Sequence, residues 1–174
     1  MTNLSLLVQH SLVYGAVLGS LMCVIFMALA LVNPGIWLKD YPPDIQQKHG
    51  PMSAKALRQR KLAGVPVLAL LLGTLIVALV QLAQAQGTRL SLVDAFACVF
   101  LIFFIFNVVD LLILDGLIFV TIQPRLIILP GTEGAAGYKD YGFHLRASLK
   151  GVIGSAIASA VIAAIAVGVQ ALLG

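Results

Sequence analysis

The stretch LVDAFACVFLIFFIFNVVDLLILDGLIFVTI, residues 92–122, decides how this chain is read. Roughly 20 apolar helical residues cross a hydrocarbon core. This run exceeds that length, yet its second half carries Asn107, Asp110 and Asp115. An ionised Asp near the bilayer centre costs roughly 2.5–3.5 kcal/mol on insertion-based scales. The segment therefore calls for polar companions on other helices, which predicts a bundle rather than a lone span.

Working outward, the chain supplies three more apolar runs, at 11–32, 62–83 and 149–173. Of its 174 residues, 60% are hydrophobic and 10% charged, against roughly 45–50% and about 25% in soluble domains. These features predict an all-α integral membrane protein, a four-transmembrane-helix bundle with two cytoplasmic loops and no soluble domain. The helices are expected near 11–32, 53–84, 92–122 and 144–173, in a single membrane domain over 1–174. The loops near 33–52 and 123–143 are too short to build a core of their own. The leading MTNLSLLVQH lacks Lys and Arg, and the run behind it is too long for a cleavable signal core.

The basic residues set the expected orientation. Lys39, Lys48, Lys55, Arg58, Arg60 and Lys61 follow the first run, and Arg125, Lys139, Arg146 and Lys150 lie between the third and fourth. The link between the second and third holds only Arg89. Cationic loops stay inside, so 33–61 and 123–148 are expected to be cytoplasmic and both termini outside, in a membrane such as the bacterial inner membrane. The net charge of +4 sits beside apolar runs, which points to lipid headgroups and topology and away from nucleic acid. Cys23 and Cys98 lie within apolar runs and read as small hydrophobes.

Small residues mark packing faces. The fourth run places Gly151, Ser155, Ser159 and Ala163 on one row and Ala156, Ala160, Ala164 and Gly168 on the next, while Ile153, Ile157, Val161 and Ile165 cover the other side. The first run has Gly15 and Gly19 four apart. Such faces allow close backbone approach, and packing within the bundle is the expected use, with a homo-oligomer as the alternative. Ser53 is a candidate cap for the second helix, and Pro66, about one turn inside the bilayer, favours a bend.

At depth, Asn107 and Asp110 share a face by their three-residue spacing. Ser155 and Ser159 of the fourth helix and Thr74 of the second are the expected partners, and a carboxyl carried as the neutral acid would suit that pocket. Asp115, nearer the inner headgroups, is expected to pair with Arg146 or Lys150.

The loops read NPGIWLKDYPPDIQQKHGP and TIQPRLIILPGTEGAAGYKDYGFHLR. Trp37 and Tyr41 suit the headgroup zone, and Pro42-Pro43 is expected to start a helical turn through Asp44 and Gln47. PGTEG followed by AAG, residues 130–137, is turn-rich, with amides able to hold an anion, but it lacks the Gly-Lys-Ser/Thr ending of a phosphate loop. His144, Arg146, Asp44, Tyr41, Arg58 and Arg60 gather an acid-base and cationic set at one face. No His-xxx-His or Cys-xx-Cys spacing marks a metal site, and no cofactor is expected.

Three functions fit these residues. The leading expectation is binding or transport of a lipid, small amphiphile or proton-coupled solute at the buried polar site on the third helix. The second is a membrane-embedded enzyme acting on a lipid-like substrate at the inner face through His144, Asp115, Asp44 and the arginines around them. The third is an accessory subunit of a larger membrane complex.

Overall fold

Asn3 opens the first helix by accepting the Leu6 amide on its side chain at 3.1 Å. In the computed structural model, which describes residues 3–172, this helix, α1, runs Leu4–Val32. It starts about two turns before the apolar run, because Ser5, Gln9 and His10 lower hydropathy without opposing a helix. Asn33 ends it, accepting the Gly35 amide at 3.0 Å and donating to Gln59 at 2.7 Å. A 3₁₀ turn over Pro34–Asp40 leads into a short helix, α2, Pro43–His49, begun by the proline pair as the sequence predicts.

Ser53 caps α3, Ala54–Gln86, through the Ala56 amide at 3.1 Å, and α3 continues through Pro66 to Gly87, whose φ of 65° closes it. Ser91 caps α4, Leu92–Val109, and the same segment continues as a π-helix over Asp110–Ile122. The fourth long helix, α5, is Tyr141–Leu172, beginning three residues before the expected start. Its expected end at residue 173 lies outside the described residues. Four of these segments, Leu4–Val32, Ala54–Gln86, Leu92–Ile122 and Tyr141–Leu172, are long and apolar enough to cross a membrane, and every regular element among the described residues is helical.

The α4 segment is central, with α1 and α5 on either side of it. The glycines of α1 dock there: a Cβ at Gly15 would stand 2.7 Å from Ile105 Cβ, and one at Gly19 2.8 Å from Val109 Cβ. On α5 the row containing Gly151, Ser159 and Ala163 faces α4, while Ile153, Ile157, Val161 and Ile165 are exposed. The second half of α3 packs in the main core through Leu75, Ala78, Leu79 and Leu82, whereas Leu62, Val65, Leu68 and Leu72 in its first half are exposed. Exposed aliphatic faces of this kind suit lipid.

A second, smaller core joins the two loops at the basic end. Leu38, Tyr41, Ile45, Leu129, Ala135 and Tyr138 are buried together. Tyr41 donates its hydroxyl to the Ile127 carbonyl at 2.7 Å, and Asp44 accepts the Gly137 amide at 2.8 Å. Gly137 is required here, since a Cβ would collide with the Asp44 carboxylate and stand 2.7 Å from Pro42 Cβ. The two loops thus form one folded cap.

Candidate functional site

The π-helical register builds the site. On an α-helix, residues five apart point about 140° from one another. A π-helix bonds i to i+5, so residues five apart stack. Thr121 Oγ1 donates to the Gly116 carbonyl at 2.7 Å and the Gln123 amide to Ile118 at 2.9 Å, both with that spacing. Gly116 suits the widened turn, because a Cβ there would stand 3.0 Å from the Leu111 carbonyl oxygen. Asp110 and Asp115 consequently fall on one side of the segment, within electrostatic reach of each other.

His144, from the first turn of α5, meets that face. Its Nδ1 lies 3.0 Å from Asp115 Oδ1, and Asp110 is within electrostatic reach of both. Phe119 and Phe143 enclose the imidazole, with ring centroids at 4.8 and 5.4 Å. The residue is 4% exposed, and its buried Nε2 has no hydrogen-bond partner. With Nδ1–H donating to Asp115, the neutral ring leaves Nε2 as an acceptor, while the protonated ring donates from both nitrogens. The arrangement can hold a proton, or receive a donor group, in a setting with little water.

No family model, curated protein or solved structure matches this chain. The site therefore rests on its own geometry.

Several expected partnerships are replaced. Asp115 faces His144 rather than Arg146 or Lys150. Arg146 lies 3.8 Å from Asp140 instead, and Lys150 is exposed. Both cations sit on the outward side of α5, whereas the π register turns Asp115 inward. Ser155, Ser159 and Thr74 do not hydrogen-bond Asp110: Ser159 donates to the Ser155 carbonyl at 2.6 Å, and Thr74 is half-buried on α3. Among the described residues no hydrogen bond or ion pair reaches the Asp110 carboxyl. Asn107 bonds Ser148, by a short hydroxyl contact and by its amide to the Ser148 carbonyl at 3.4 Å. Gly151 makes room, since a Cβ there would be 2.6 Å from Asn107 Nδ2.

Of the remaining candidates, Arg60, Tyr41 and Asp44 serve the cap. Arg60 forks onto Asp40 at 2.6 and 3.2 Å, donates to the Ile36 carbonyl at 2.8 Å and lies 5.7 Å from the Trp37 ring centre. Arg58 is exposed. Burial, reinforced by Tyr138 and the Asp40 carboxylate, pushes the Tyr41 phenol well above the ordinary tyrosine range. The turn-rich loop does hold an anion on an amide, and that anion is the protein's own Asp44. Among the described residues no three His, Cys, Asp or Glu side chains gather to hold a metal ion.

The role of His144 as the partner of Asp115 was visible in composition but not in spacing. The only sequence hint was one histidine at the entrance of the fourth helix, level with an acid at the exit of the third.

Proposed function

We propose that the chain spans a membrane with its basic end on the cytoplasmic side, and that Asp110, Asp115 and His144 form a buried polar site for a proton or the polar end of a small amphiphile. The supporting observation is the enclosed His144, bonded to Asp115 on one nitrogen and unpartnered on the other. A buried unpaired polar atom costs about 1–3 kcal/mol, and an acid at membrane depth costs more. Costs gathered in one cluster are characteristic of sites that bind or transfer.

The test is native mass spectrometry of the purified protein, wild type and Asp110→Asn, searching for a copurified amphiphile, with helical content measured by circular dichroism. The expected result is an Asp110→Asn protein of wild-type helicity that has lost the bound molecule. A variant that retains the molecule, or one that merely unfolds, makes Asp110 an architectural residue.

A membrane-embedded enzyme is the second reading, favoured by the same pair, since a carboxylate on Nδ1 and an open Nε2 is the arrangement of an oriented general base. It ranks lower because His144 lines neither the groove between Leu111 and Leu145 nor the one between Leu92 and Ala164. Docking on a larger complex is a third, supported by the open sides of α3 and α5; a stable stoichiometric partner in mild detergent would favour it.

A further inference from the structure

On the other side of the π-helix from its inward acids, the segment and the start of α5 leave an open groove of about 520 Å³. Leu111, Leu112, Leu117 and Leu145 line its apolar length, and Tyr141 and Gly142 lie at the end nearer the loop cap. Leu112, Leu117 and Leu145 are 63%, 48% and 50% exposed. Arg146 folds back over Gly142: its Nη1 would stand 3.2 Å from a Cβ on that glycine. The guanidinium therefore sits on the groove's rim, paired among the described residues with Asp140 alone, at 3.8 Å. A guanidinium has five N–H donors in a fork that matches a phosphate, so most remain available. Lys150 is exposed one turn further along the same α5 row, and no carboxylate pairs with it among the described residues. Its long stem can carry the ammonium back toward the headgroup level.

We propose that this groove holds an acyl chain of a phospholipid with a net negative headgroup, whose phosphate is gripped by Arg146 and Lys150. Charge complementarity selects this occupant. An apolar trough open to the surrounding bilayer accepts any chain, whereas Arg146, loosely paired at 3.8 Å, and Lys150 on one rim favour a headgroup whose phosphate charge is not cancelled by its own ammonium. The proposal stands apart from the acid–histidine cluster, because the test leaves Asp110, Asp115 and His144 intact.

The experiment is native mass spectrometry of the full chain in detergent, titrated with phosphatidylglycerol or with phosphatidylcholine of the same acyl chains. One phosphatidylglycerol should be retained in clear preference. Each basic side chain near an anionic lipid is worth about a factor of five, so Arg146→Gln with Lys150→Gln should weaken retention about 25-fold while leaving phosphatidylcholine unaffected. Leu145→Trp fills the trough, keeps both cations, and should also lose the lipid. Circular dichroism establishes that both proteins stay helical, and Arg146→Gln alone provides a milder check if the pair misfolds. Equal retention of the two lipids, undiminished binding by the charge variant, or an unaffected Leu145→Trp protein would overturn the proposal. Displacement by millimolar inorganic phosphate would also overturn it, by identifying the ligand as a free anion.

Discussion

At the scale of single residues, the basic end is held by polar side chains that each satisfy a buried backbone group. Tyr41 is the clearest case. It is 3% exposed, packs edge-on to Phe119 at 5.0 Å and donates a hydrogen bond to the Ile127 carbonyl. Tyr41→Phe keeps the ring and orphans that carbonyl, at a cost of about 1–3 kcal/mol; amide exchange in 123–140 should accelerate accordingly while the long helices stay protected. The raised phenol adds a pH dependence. The folded cap retains the Tyr41 proton at a pH where an unfolded chain has lost it. Its contribution is therefore whole below about pH 10, the ordinary tyrosine value, and declines as pH rises beyond it. Exchange measured from neutral to alkaline pH, corrected for intrinsic rates, should show the cap loosening above that point in wild type and a flatter profile in Tyr41→Phe. A wild-type cap as stable at high pH as at neutral would remove this account.

At the scale of elements, close packing was legible from small residues, and helical register was not. Gly15, Gly19 and Gly151 announced faces for near approach, and each abuts the α4 segment. Gly15→Ala brings a methyl to 2.7 Å from Ile105 Cβ and 3.0 Å from the Ile102 carbonyl oxygen, so overpacking should cost about 1–3 kcal/mol. Gly154→Ala, with nothing within 4 Å of the new methyl, should be neutral; thermal unfolding in detergent compares the two, and equal midpoints would deny the α1–α4 contact. The change from α to π at Asp110 has no comparable signature. An apolar stretch such as LLIL satisfies either winding, and matching depth alone suggested Arg146 for Asp115 and Ser155 for Asp110. The π register carries Asp115 to His144, whereas Asp110, at the start of that register, keeps the place the α-helix gives it. The loop cap was half legible: prolines gave α2, but the fit of Gly137 against Asp44 and Pro42 joins positions far apart in sequence. Gly137→Ala should unlatch the loops, seen as new protease cleavage within 123–140 of a chain whose helical content is unchanged.

At the scale of the whole molecule, the two ends differ in kind. The end bearing the 87–91 link is closed by main-core packing of Leu82 and Leu90, with the Gln170 side chain accepting the Leu90 amide at 3.1 Å. The opposite end carries the folded cap, the acid–histidine cluster and ten of the 11 Lys and Arg residues, all but Arg89. Helices and their pairing would be the same in either orientation, so the positive charge alone argues which side each end faces. Two exposed positions test it. Thr88 lies in the short link and Lys139 in the cap, while Cys23 and Cys98 lie within the long apolar segments and should give little background with a charged, membrane-impermeant maleimide. Thr88→Cys should label on intact cells, and Lys139→Cys only after the membrane is opened. The reverse pattern would put the acid–histidine cluster on the outer side, where its proton would exchange with the exterior.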